Sequence, residues 1–354
     1  MHFNRKKGDF LAEVIDRWRE NGTIDAETAT KLEVSFQIRP FDWGKLAMYS
    51  FIIAIICGII AFTALIAEDF LVELVERFFE APDGVLCLMF AGLAAIVYYL
   101  GFRKRRSHPQ NVFGNEAVLF IAVLLTAVSI GFLGKLLDRG SGHFSLLLLL
   151  AAVLYGVIGY LGESWLVWAF SLLSLGSWYG AETGYMSGWG AYYFGMNYPL
   201  RFALFGAVLT GFSFLLKPRM KTANLYSPTY VIGLLYLFVS LWILSIFGNY
   251  GDHYAWMRSS TGDLFQWSIL FGLVALLAIW YGLKYDDPTA RGFGLTFLFI
   301  NLYTKYFEYF WDDMHKALFF LILAVSFWLI GRKAEKIWNL EFVRHAMRDG
   351  ENRE

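Results

Sequence analysis

Cysteine, proline and charge are all scarce in this chain of 354 residues. Its two cysteines, Cys57 and Cys87, both fall inside apolar runs, which excludes a disulfide framework and a cysteine-based zinc site. Charged residues make up 17%, against about 25% in an ordinary soluble domain. Lys+Arg 30 and Asp+Glu 30 cancel, so nothing in the net charge favours a nucleic-acid partner. No Gly-x-x-x-x-Gly-Lys-Ser/Thr loop and no Gly-x-Ser-x-Gly elbow is present, which argues against a self-contained ATPase or an elbow-type hydrolase. His143, His253 and His315, with Asp252, Asp312 and Asp313 nearby, show no metal-ligand spacing. Neither a metal nor another cofactor is expected.

What the chain has in excess is apolar and aromatic surface. Hydrophobic residues reach 57%, with 34 Phe, 20 Tyr and 13 Trp, and the mean hydropathy is +0.48. Residues 1–45 are polar, with no apolar core of signal-peptide type. From Leu46 onward ten apolar runs follow: 46–66, 85–102, 115–134, 143–161, 164–182, 200–216, 229–248, 267–283, 292–310 and 317–332. At 1.5 Å per residue each run comes close to crossing roughly 30 Å of hydrocarbon. The runs are continuous rather than alternating, which excludes barrel strands. The fold class is therefore all-α, a polytopic transmembrane bundle of about ten spans, with membrane lipids as its first partners.

Lys and Arg set the orientation. With a cytoplasmic N-terminus, the cytoplasmic segments gather Arg5, Lys6, Lys7, Arg17, Arg19, Lys31, Arg39 and Lys45, then Arg103 to Arg106, Lys217 to Lys221, Lys284, Arg291 and the tail from Arg332. The opposite side keeps only Arg77, Lys135, Arg139, Arg258 and Lys316. Losing one span in the middle would scatter this asymmetry, so both termini are placed in the cytoplasm. The shortest connection, Gly162-Glu163, reads as a tight turn at the cytoplasmic headgroups.

Three regions follow: a cytosolic segment 1–45, a membrane bundle 46–332 and a basic tail 333–354. Residues 8–38 read as a helical hairpin. Asp9 caps its first helix, Asn21-Gly22 ends it, and Asp25 caps a second helix with Ile24 as staple. So short a pair buries too little surface to stand alone, which makes it a candidate docking element for a protein partner. The tail 334–349 has an apolar stripe flanked by Lys336, Arg344 and Arg348, suited to an anionic leaflet or to a solvated end of the last span. On the outer side, residues 68–80 read as an acidic amphipathic helix, and the loop 183–199 is rich in Gly, Tyr and Trp. The loop 249–266, with Asp252, His253, Trp256, Arg258 and Asp263, is the most chemically mixed stretch outside the membrane.

Charge inside a span is costly and marks function or pairing. The ninth run carries Asn301, Thr304, Lys305 and Glu308, and positions 301, 305 and 308 share one helical face. Two readings stay open. The face is a polar wall that binds an anionic headgroup or solute, or passes a proton; or Lys305 snorkels to the outer interface with Glu308 beside it. Glu116, Glu182 and Arg201, at the ends of other runs, read as interface markers. Asp286-Asp287-Pro288 reads as a plain turn.

The stretch Asn-Gly-Thr-Ile-Asp-Ala-Glu-Thr-Ala at 21–29, the ten-run layout and the segment Asn301 to Gly331 together resemble a family of bacterial predicted membrane proteins, a domain of unknown function with a short cytosolic helical segment ahead of many spans. The resemblance implies a bacterial inner membrane and supplies no catalytic residue. Three function classes remain: a transporter or lipid- or solute-binding protein with an outward pocket near Asn301, Lys305, Glu308, Arg258 and His253; a non-enzymatic scaffold or envelope sensor docking through the hairpin; and a membrane enzyme acting on a lipid-linked substrate. Only seven prolines, and no evident inverted repeat, weigh against the first.

Overall fold

The computed structural model describes residues 2–3, 14–19, 21–35, 37–38, 50, 52–61, 82–137, 143–215, 217–218 and 225–339. The cap expected at Asp9, the amphipathic stretch 68–80 and the tail beyond 339 lie outside the described residues. The chain divides into two compact units, one formed by Met1–Pro82 with Arg105–Ala117, the other by Asp83–Lys104 with Val118–Glu354.

In the first unit, β1 (His2–Phe3) and β2 (Gln37–Ile38) make a two-residue parallel pairing, too short to alter an all-α class. Residues 14–19 are helical, and the turn that follows is closed by Thr23 N–H donating to Trp18 C=O at 2.8 Å. Gly22 adopts φ +69°, the left-handed conformation expected of a helix stop. Helix α1 (Ala26–Ser35) starts at Asp25. That carboxyl is held below its ordinary range chiefly by the Thr28 hydroxyl, against an opposing desolvation and with smaller help from backbone N–H groups. Ile15 and Ala29 are buried and Trp18 is exposed. A further short helix, Ile52–Ala61, is apolar throughout. In the segment 105–117, Glu116 is buried and paired with Arg105 at 3.4 Å.

Helix α2 (Asp83–Ser107) and α3 (Val112–Leu137) lead into the second unit, followed by α4 (Ser145–Leu161), α5 (Trp165–Met186), α6 (Tyr198–Leu215), α7 (Tyr226–Phe247), the short α8 (His253–Met257), α9 (Thr261–Lys284), α10 (Pro288–Phe310) and α11 (Lys316–Asn339). Each apolar run from 85–102 onward coincides over most of its length with one of these helices. Among the described residues, five helices are long and apolar enough to cross a membrane: Asp83–Ser107, Val112–Leu137, Tyr198–Leu215, Tyr226–Phe247 and Gly262–Lys284.

Three antiparallel hairpins, α4–α5, α6–α7 and α9–α10, make up most of this unit. The α4–α5 turn is Gly162-Glu163, with Ser164 capping α5 by accepting from Val167 N–H. The turn before α10 ends in Asp287, which accepts from Thr289 and Ala290 N–H, with Pro288 in the first helical turn, where a missing N–H costs nothing. Lipid gives helices little hydrophobic reason to associate, so close packing through small residues takes over. At Gly206 of α6 a Cβ would overlap Leu237 N of α7, and Gly294 of α10 lies against the Ala275 carbonyl of α9. The larger core gathers Phe238, Leu241 and Leu244 of α7, Phe271 and Ala275 of α9, and Ala290 and Phe297 of α10. A second core joins Ala94, Tyr98, Leu119, Val123, Tyr155 and Val167. Large apolar side chains such as Leu88, Val208, Leu277 and Leu321 point outward, the distribution a lipid-facing surface requires.

Candidate functional site

The last turn of α7 organises one end of the second unit. A helix leaves its final carbonyls without intrahelical partners and carries partial negative charge there. Here the carbonyls of Leu244, Ser245, Ile246 and the following Gly248 are met. Leu244 C=O accepts from Gly248 N–H at 2.7 Å, and Ser245 C=O accepts from the Lys305 ammonium at 2.9 Å. Ile246 C=O accepts from the Trp256 indole at 3.0 Å, and Gly248 C=O accepts from the Asn197 amide at 2.8 Å.

Lys305 is therefore buried against the end of α7, with Glu308 beside it. It is 9% exposed, and its ammonium also donates to Glu308 at 2.5 Å. One turn inward, the Asn301 amide donates to Ser268 C=O at 2.9 Å and its oxygen accepts from the Ser268 hydroxyl at 2.7 Å. The Trp242 indole donates to Thr304 at 3.0 Å. Asn301, Lys305 and Glu308 thus form one polar seam tying α10 to α7 and α9. A cation at the negative end of α7 is favourable by itself, before Glu308 is counted. In the same stretch of α10, Tyr303 bonds Ser326 of α11 at 2.9 Å, and the Tyr306 hydroxyl donates to Phe319 C=O at 2.8 Å.

His253 and Arg258 belong to a different place. His253 opens α8, its ring 5.2 Å from that of Trp256, while Arg258 ends α8 and donates to Tyr254 C=O. His253 lines a cavity of about 340 Å³, together with Ala191, Asn197, Tyr198, Pro199, Phe247, Tyr250, Gly251, Asp252 and Trp256. Arg258 is not among these lining residues. Asp252, the only carboxylate among them, caps α8 by accepting from Ala255 N–H at 2.6 Å. The cavity and the seam share the end of α7, since Phe247 lines the cavity two residues beyond Ser245.

The cavity wall is built by two loops zipped together. Asn197 caps α6 by accepting from Leu200 N–H, while its own N–H donates to the Asn249 side chain at 2.8 Å. The Asn249 amide returns a bond to Gly195 C=O at 2.9 Å, and the Tyr192 hydroxyl reaches Asn249 C=O.

Two features were not legible as more than interface markers. Arg201, in the first turn of α6, is fully buried at 0% exposure. One guanidinium nitrogen, Nη2, donates to Ala191 C=O at 3.2 Å, and the group lies 3.9 Å from the centre of the Tyr198 ring. Its Nε and Nη1 are buried and meet no hydrogen-bond partner among the described residues. Arginine keeps its charge under all ordinary conditions, so a buried guanidinium without a carboxylate is costly. The second feature is a brace between α4 and α5, where His143 and the Ser145 hydroxyl both reach the same Glu182 oxygen, at 3.0 and 2.5 Å. His143 also stacks on Tyr185 with ring centres 3.9 Å apart.

Among the described residues no group of three His, Cys, Asp or Glu side chains comes together to hold a metal ion. No protein-family model, curated protein or solved structure matches this chain.

Proposed function

We propose that this chain is a multi-pass protein of a bacterial inner membrane, with about ten spans and both termini in the cytoplasm, that binds a solute or lipid headgroup at its outward-facing end. The ten apolar runs and the asymmetry of Lys and Arg support the topology, and the likeness to a bacterial membrane-protein family is part of the same reading. A transporter or binding protein fits better than an enzyme. The observation that carries the reading is the cavity of about 340 Å³, where the polar groups of Asn197, Asp252 and His253 stand among aromatic walls from Tyr198, Phe247, Tyr250 and Trp256. Binding sites are built this way, with apolar walls and a few placed polar groups. The seam of Asn301, Lys305 and Glu308 holds α7 and α10 in register beneath it.

The test is ligand retention. Protein purified into nanodiscs should carry a lipid or solute identifiable by native mass spectrometry, and Trp256→Ala should lose it while keeping its helical content. Equal retention by the variant, or no cavity-dependent ligand in a broad thermal-shift screen, contradicts the reading.

A second reading is favoured by Trp18, a large aromatic side chain left exposed beside the buried Ile15 and Ala29. On this view the N-terminal helical pair docks a cytoplasmic protein partner. Trp18→Ala should then abolish co-purification of that partner without altering membrane insertion.

A further inference from the structure

We propose that the cavity between the 187–199 and 248–256 loops is an oxyanion site whose anchoring cation is Arg201, taking a phosphate or carboxylate group carried by a lipid headgroup or by a free solute. The inference rests on the cavity reading above and narrows it to one charge class.

Three observations converge. Arg201 is a permanent cation with 0% exposure, and no carboxylate among the described residues lies within ion-pair distance of it. The Ala191 carbonyl that it bonds and the Tyr198 ring that it lies over both belong to residues that line the cavity. Arg201 is not itself a lining residue, so the guanidinium lies behind that wall, with Nε and Nη1 unmatched among the described residues. An oxyanion offers several acceptor lone pairs to such donors, and charge-assisted bonds of this kind are the strong ones.

The helix end agrees in sign. Arg201 sits in the first turn of the 18-residue helix α6, whose N-terminal end carries partial positive charge. The one carboxylate of the cavity lining, Asp252, opposes an anion in sign, but one of its oxygens is held by the Ala255 N–H at the start of α8. Aromatic walls from Tyr250 and Trp256 receive the apolar remainder of the ligand. The charged end of the ligand enters between Ala191 and Tyr198, so the Tyr198 ring is the group that shifts on binding.

The experiment uses the full chain in phosphatidylcholine nanodiscs at constant ionic strength, with thermal unfolding followed during titration by inorganic phosphate or acetate. A parallel arm replaces part of the lipid with phosphatidylglycerol and adds no soluble anion. A saturable rise in midpoint with phosphate or acetate identifies a free solute as the source, and a rise with phosphatidylglycerol alone identifies a lipid headgroup. Either supports the proposal if Arg201→Met weakens the half-saturation by roughly tenfold or more. If that variant does not fold, Ala191→Phe decides, because it fills the cavity and leaves the backbone carbonyl that Arg201 uses. No rise with any of the three probes, an equal rise in Arg201→Met, or a rise that survives Ala191→Phe overturns the proposal. The two levels separate cleanly. A Trp256-dependent ligand without any response to anions leaves the cavity reading standing and removes only the anionic one.

Discussion

The ammonium of Lys305 donates to the carbonyl oxygen of Ser245 at 2.9 Å, so a side chain of α10 closes the last turn of α7. That bond places the only lysine of α10 at the end of a helix that carries negative partial charge, with Glu308 as its second partner. Removing it should loosen the helix pair rather than a single contact. Lys305→Met leaves the Ser245 carbonyl and the Glu308 carboxylate without their cation. Breaking a fully buried pair costs about 3–5 kcal/mol. The Glu308 side chain is 24% exposed, which lets solvent take up part of the loss, so about 2 kcal/mol is expected. The double variant Lys305→Met with Glu308→Gln should recover part of it. Equilibrium unfolding in mixed micelles measures both, and an unchanged Lys305→Met would show that the seam carries no stability.

The α6–α7 hairpin offers a paired test on one helix. Gly206→Ala puts a methyl group into the backbone of α7 at Leu237, whereas Gly211→Ala meets nothing within 4 Å. The first should destabilise by about 1–3 kcal/mol through overpacking. The second should be neutral or stabilising by up to about 1 kcal/mol, since alanine favours helix over glycine. The same unfolding assay compares them, and equal effects would mean that the close approach does not matter.

The brace at Glu182 joins the start of α4 to the end of α5. Glu182→Gln keeps the size of the side chain but weakens its bonds to His143 and Ser145. A loss of about 1 kcal/mol is expected, with a larger loss for Glu182→Ala, which leaves the Ser145 hydroxyl buried and unmet. Differential scanning fluorimetry of the three proteins reads the order directly. Equal midpoints would reduce the brace to a surface contact.

Much of this was written into the chain in one dimension. Hydropathy located the long helices from 85 onward, but several of their ends run past the apolar runs. Helix α2 continues through Arg103, Lys104, Arg105 and Arg106 to Ser107, because backbone hydrogen bonding does not stop where hydrocarbon does. The helix stop at Gly22 and the cap at Asp25 depend on neighbours in sequence and were legible for that reason. Helical spacing likewise put Asn301, Lys305 and Glu308 on one face. Their partners, Ser245 and Ser268, lie 60 and 33 residues away, and nothing local says which helix sits alongside which. Arg201 read as an interface marker because its position at a span end suits headgroups. Only the packing of Ala191 and Tyr198 over it reveals the burial. Asn197 ahead of Tyr-Pro-Leu has the form of a helix cap, a signal the local sequence does carry.

The topology bears on everything else, and reporter fusions test it most directly. Periplasmic and cytoplasmic activity reporters placed after residues 107, 163, 190, 221, 252, 286 and 313, and at both ends, should sort into two sets. Cytoplasmic readings are expected at both termini and at 107, 163, 221 and 286, with 190, 252 and 313 on the opposite face. Termini on opposite faces, or a cytoplasmic reading at 190 or 252 beside the cavity, would contradict this topology.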